Sequence, residues 1–215
     1  MELINQRKII SILDWAYLKS VNGVTGLASA EDLAKNYIKA SNTPFQQSNA
    51  LIRQQNTTAA TLGFITGLGG GITLPVTIPA SIASALCIQM RMTAAIAHLG
   101  GYDLKDERVK HLIYACLVAD SAQDVLNDVG VTIGNKVAMN AVKSISTQAL
   151  QEIHNKFKFN LLHQVGGNGI SHFGKFVPVL GGLVSGVLDA HSTNSIGNVA
   201  RDTFTPQITQ LSTKD

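Results

Sequence analysis

Asp120 and Asp124 stand one helical turn apart, and if buried together they would share a proton. With His191 they form the kind of set that holds a hydrolytic metal between bundle helices. A solvated helix face is the plainer reading of the same spacing. The histidines are His98, His111, His154, His163, His172 and His191, and none forms the HxxxH or HxxH pair that brings two imidazoles to one metal. "GLVSG" has the wrong offset for a nucleophile elbow. No catalytic residue, metal ligand or cofactor is assigned on these grounds.

Two glycine-rich stretches imitate phosphate loops. In "GFITGLGGGITLPVTIPA", residues 63–80, Gly67, Gly69, Gly70 and Gly71 lack both a preceding strand and the glycine that a dinucleotide fingerprint needs where Ile72 stands. In "GISHFGKF" Gly169, Gly174 and Lys175 are spaced like a Walker loop, but Phe176 replaces the hydroxyl that must meet Mg²⁺.

Another set is polar in apolar surroundings. Gln89 and Arg91 lie in "ASIASALCIQMRMTAAIAHL", the most apolar helical segment, and Asp189, Thr193 and Asn194 lie in a late glycine-striped one. A buried charge needs a partner, so Arg91 or Gln89 is expected to meet Asp189 or Asn194 across a helix crossing. The meeting would serve as a register lock or as a polar ligand spot.

The elements that would position these groups are helices. Gly63, Gly67 and Gly71 recur at steps of four, as do Gly182, Gly186 and Ala190, and also Gly181, Ser185, Asp189, Thr193 and Gly197. Residues four apart share a helix face, and a face of small side chains lets a second backbone approach closely. Each glycine costs about 1 kcal/mol relative to alanine inside a helix, so their accumulation implies a compensating gain in packing.

Punctuation places the helices. Ser29 with Asp32 resembles a capping box opening a helix towards Ala40, and Thr43 before Pro44 opens the next, towards Gly67. Pro79 opens a third, with Ile82, Leu86, Met90, Ala94 and Ala97 along one side, ended by Gly100 and Gly101. Asp106 and Glu107 begin another, through Leu112, Cys116, Ala119 and Leu126. Further helical patterns cover about 135–145 and 147–163, and Pro178 starts a last helix to about Phe204. The N-terminal "MELINQRKIISILDWAYLKS" is a poor secretory signal and reads as an amphipathic arm, with Ile9, Ile10, Leu13, Ala16 and Tyr17 at helical spacing. No alternating strand pattern is present. The expected fold is all-α, a single-domain helical bundle with glycine-rich crossings, comprising an arm over 1–42 and a main helical domain over 43–215.

Composition narrows the partners. Of 215 residues 45% are hydrophobic and only 14% charged, against a usual share of about 25%, so apolar surface is expected to meet lipid, a protein or a second copy. A net charge of +3 without any run of Lys and Arg disfavours nucleic acid. Cys87 and Cys116 sit in apolar helical patterns with no CxxC pair, which suits a reducing cytoplasm. Between Arg53 and Arg91 there is no charged residue, but Pro75, Pro79 and the glycine cluster interrupt the stretch, which favours a buried soluble hairpin over a full span and over a re-entrant or surface-lying hairpin alike.

The segments "TGLGGGITLPVTIPASIASALCIQMRMTAAIAHLGGYDL" and "VPVLGGLVSGVLDAHSTNSIGNVARDTF" resemble the bacterial EcsC family over about residues 55–205. That resemblance implies an all-helical protein of a bacterial type, in a family named for an operon with an ABC transporter. It brings no established catalytic residues. The positions that match its pattern are Pro75, Pro79, Gln89, Arg91 and Gly101, then Pro178, Gly182, Asp189, Thr193 and Gly197. The leading expectation is a non-enzymatic cytoplasmic protein, peripheral to the inner membrane, that meets membrane or lipid through the apolar glycine-rich hairpin. A protein-interaction module, as an inhibitor or immunity partner, is the alternative, and a metal-dependent hydrolase is the third reading.

Overall fold

A computed structural model describes residues 6–24, 27–61, 80–117, 126 and 184–207, with side chains placed for 10–24, 27–57, 86–117, 126 and 193–207. The described residues form six helices: α1 (Gln6–Asn22), α2 (Ala30–Lys35), α3 (Pro44–Thr61), α4 (Ala80–Leu99), α5 (Glu107–Cys116) and α6 (Val184–Phe204). No strand occurs among them beyond an isolated bridge between Val24 and Leu27, so the fold is all-α.

Local chemistry sets the helix starts. Ser29 caps α2 by accepting from the Asp32 amide at 3.0 Å. At α3 the Thr43 hydroxyl accepts from the Gln46 amide at 3.3 Å while the Gln46 carboxamide accepts from the Thr43 amide at 3.0 Å, a reciprocal capping box before Pro44. Asp106 caps α5 by accepting from the Arg108 amide at 2.9 Å. α4 stops where Gly101 adopts a φ of +82° and the Tyr102 amide reaches back to the Ala97 carbonyl at 3.1 Å. At Gly100 an added Cβ would overlap the Phe204 carbonyl, so the end of α4 is held against the end of α6.

One expected boundary is corrected. α2 ends at Lys35 rather than running towards Ala40, and the chain turns there, with the Tyr37 amide bonded to the Ala34 carbonyl at 2.9 Å. Asn36, Tyr37 and Ile38 are weak helix formers, and the segment gains more from its bonds to α3 described below.

α4 is the central rod, packed against the other five helices. Met90, Met92, Thr93, Ala94, Ala95, Ile96 and Ala97 are all fully buried, so α4 hides every side rather than one stripe. α1 contributes Ile12, Leu13, Ala16 and Tyr17 to the same core, packing on α4. The Tyr17 hydroxyl donates to the Leu104 carbonyl at 2.6 Å, and Ser20 donates to the Cys87 carbonyl at 3.0 Å. The expected patterns near 135–145 and 147–163, and Asp120 and Asp124, lie outside the described residues.

Candidate functional site

The α3–α6 crossing shows what the small residues do. From Ser48 up to Asn56 on α3, successive partners descend α6 from Thr205 to Asn194, so the two helices run antiparallel in a fixed register. Ser48 and Thr205 share a hydroxyl bond at 2.9 Å, and Arg201 donates to Asn49 at 2.8 Å. Between them and the amide pair Asn56–Asn194 at 2.9 Å lies Gly197. A Cβ on Gly197 would stand 2.8 Å from Ile52, so the missing side chain is what admits the α3 helix to this distance. Gly186 lies on α6, whereas Gly63, Gly67, Gly71 and Gly182 lie outside the described residues.

The polar set is distributed more widely than a single crossing. Asn194 accepts from Asn56 of α3, Thr193 is fully buried on α6, and Arg91 of α4 donates to the Ala28 carbonyl at 3.3 Å. The Gln89 carbonyl accepts from Thr93 at 2.9 Å, and the side chain of Asp189 lies outside the described residues. Arg91 is half-buried; its Nε is shut from solvent without a partner, and no carboxylate among the described residues faces it. Desolvation accordingly lowers its pKa, offset by the Tyr37 and Cys87 side chains.

Beside Tyr37 the chain forms an open groove of about 610 Å³ between the 36–42 turn and the outer face of α3. Its charged lining is Lys39 and Arg53; Asn36, Asn42, Gln54 and Thr57 add amides and a hydroxyl, and no carboxylate lines it. Gln47, behind the lining, holds one wall in place. Its buried carboxamide donates to the Lys39 carbonyl at 3.2 Å and to the Asn42 carbonyl at 3.0 Å, fixing the turn that carries Lys39 against α3. Thr57, which also lines the groove, donates to the Arg53 carbonyl at 3.0 Å. Tyr37 is desolvated, which raises its pKa, while a hydrogen bond with Gln55 and the charge of Arg91 act the other way. Arg91 thus lies electrostatically behind the tyrosine that the groove uses as wall. Ile38, next to Lys39 in the chain, is an apolar side chain 55% exposed.

Sequence reasoning does not single out Lys39, Arg53, Asn36 or Asn42. The one signal it offers is that Arg53 and Arg91 bound the uncharged stretch. Chemically the groove offers two cations without a carboxylate, with amides and a hydroxyl beside them, a lining compatible with an anion. No group of three or more His, Cys, Asp or Glu side chains among the described residues could hold a metal. Burial pushes the Cys87 thiol up to about 11 and the Cys116 thiol up to about 12, so neither is a poised nucleophile.

Neither a curated protein nor a solved structure matches the chain significantly. A model of the EcsC protein family matches residues 7–206, a span that takes in all but the first residue of α1 and every other helix described above. With nearly its whole length covered by that match, the chain belongs to the EcsC protein family.

Proposed function

We propose that this EcsC-family chain is a non-enzymatic protein that associates peripherally with an anionic membrane surface, on the cytoplasmic side. The observation that carries the reading is the groove holding Lys39 and Arg53 without a carboxylate, with exposed Ile38 next to Lys39 in the chain. Cations near an anionic leaflet contribute about 1 kcal/mol each, and an apolar side chain beside them adds burial in the interface.

The position of the groove along the sequence supports the same reading. Arg53 is the last charge before a stretch that stays uncharged up to Arg91, and residues 62–79 of it, where Gly63, Gly67 and Gly71 fall, join α3 to α4. Thr57 of the groove stands four residues, about 6 Å along the helix, before the α3 end that feeds this segment. Cationic contact from the groove would then act next to the uncharged segment in the chain. No helix among the described residues is long and apolar enough to cross a membrane, which leaves surface contact as the mode proposed. Two unpaired buried cysteines fit a reducing compartment.

Co-sedimentation with vesicles tests this. The chain is expected to pellet with phosphatidylcholine vesicles containing phosphatidylglycerol and to stay in solution with phosphatidylcholine alone. Substituting Lys39→Gln and Arg53→Gln together removes about 2 kcal/mol, roughly thirtyfold in affinity. Absence of binding to any vesicle would refute the proposal and favour a protein partner for this face.

A further inference from the structure

The α3–α6 crossing is bonded at one end and left unbonded at the other. Towards the start of α3, Ser48 and Thr205 share their hydroxyl bond, and Thr205 passes its own hydrogen to the Arg201 carbonyl at 3.1 Å. Arg201 divides its guanidinium among Asn49, Asn198 and Asp202 and lies 4.8 Å from the centre of the Phe45 ring. One turn beyond the Gly197–Ile52 contact the pattern reverses. Asn56 follows Ile52 by four residues on α3, and Thr193 precedes Gly197 by four on α6, so in antiparallel helices both stand at one level of the crossing. The Thr193 side chain is fully buried and its hydroxyl has no partner. Asn56 donates to Asn194, but its own carbonyl oxygen is shut from solvent with no donor to accept from. A buried polar atom left unbonded loses its hydration without return, which is why such atoms are rare in folded chains.

From this contrast we infer that the crossing opens from one end: α3 and α6 part from Asn56 and Thr193 onwards, while the Gly197–Ile52 contact acts as the pivot and the pairs below it stay closed. Parting there lets water reach both orphaned oxygens, against the loss of the one bond between Asn56 and Asn194. Parting at the other end would break the bonds of Ser48 and Asn49 to α6 and expose groups that are already satisfied. Local opening takes the route of lower free energy. The α3 end that moves leads into residues 62–79, which carry no charge, so the opening sets how freely α3 presents that stretch. Nothing in this opening depends on a membrane.

Thr193→Val removes the orphaned hydroxyl and keeps the shape of the side chain. In the full chain the melting temperature is expected to rise by about 2 to 4 °C. Deuterium uptake at the amides of residues 56–61, on the facing helix, is expected to slow about fivefold while residues 46–52 keep their rate. Thr205→Val removes a bonded hydroxyl at the other end, so its melting temperature should fall by a similar amount, and a rise there would contradict the contrast between the two ends. A Thr193→Val chain that melts no higher than the unmodified one would overturn the inference, because the hydroxyl would then be bonded, to a held water for example. Uptake that stays unchanged, or that slows evenly over residues 46–61, would overturn it as well by removing the one-ended opening.

Discussion

Lys110 and Arg53 carry the same charge in opposite surroundings. Lys110, on α5, reaches Asp14 of α1 at 2.9 Å and Glu107 at 3.2 Å, and its ammonium stands 5.8 Å and 5.9 Å from the centres of the Tyr17 and Tyr114 rings. Tyr114 donates to the same Asp14 carboxylate at 2.9 Å, so α1 is clasped to α5 by a closed set of charges and hydroxyls. Lys39 and Arg53 both line an open groove with no carboxylate in it. The α1–α5 clasp spends its cation on holding two helices together; the groove keeps its cations for something outside the chain. A charge whose partners are internal contributes to stability, whereas an exposed charge without them is left to water or to an anion from outside.

The largest effect is expected on the clasp side. Tyr114 is 1% exposed and meets Tyr17 edge to face at 5.8 Å, so Tyr114→Ala should lower unfolding free energy by about 4 kcal/mol, measured by urea titration. The surviving folded fraction should still bind anionic vesicles. Next comes Gly197→Val, where the added carbons would collide with Ile52 and push α6 from α3; about 2 to 3 kcal/mol is expected. Because α3 carries Arg53 and Thr57, vesicle affinity should drop as well, and an unchanged affinity would show that the groove does not depend on the α6 support.

Tyr17→Phe is a smaller change. It removes the donor to the Leu104 carbonyl, and leaving that acceptor unpaired should cost about 1 to 2 kcal/mol in the same titration, with no effect on vesicle binding.

How far these contrasts can be read from sequence depends on the range of the interactions. Thr43, Pro44 and Gln46 announce the start of α3, Ser29 and Asp32 that of α2, and Gly101 the end of α4, because each acts within a few residues of itself. The role of Gly197 is half legible: its spacing from Thr193 marks a small-residue face, but nothing local says that Ile52 fills the space. The groove is not legible. Asn36 and Tyr37 fall inside a helix that the sequence extends to Ala40, and ties from α3, the Gln47 carboxamide reaching back to Lys39 and Asn42 and Gln55 bonding Tyr37, fold that segment into a wall. Pairing is equally hidden: Arg91 and Asn194 bond to Ala28 and Asn56, choices set by how three helices pack.

The smallest expected effect is a pH dependence on the clasp side. Burial holds His111 below its ordinary pKa, outweighing the opposing pull of Glu107. The unfolded chain therefore takes up this proton first as pH falls, so stability declines below about pH 6.5 and is unaffected by this group above it. His111→Gln should flatten that slope in urea titrations at about pH 5.5 and 7.5, leaving the groove's vesicle binding unaltered.

Everything above turns on whether the cations of the groove and of the clasp serve separate ends, and a paired measurement of vesicle affinity and melting temperature decides it. Lys39→Gln with Arg53→Gln should abolish most anionic-vesicle binding without moving the melt, while Lys110→Gln should lower the melt and leave binding intact. If the groove variant melted early while binding vesicles as the unmodified chain does, the assignment of its cations to an external anion would be contradicted.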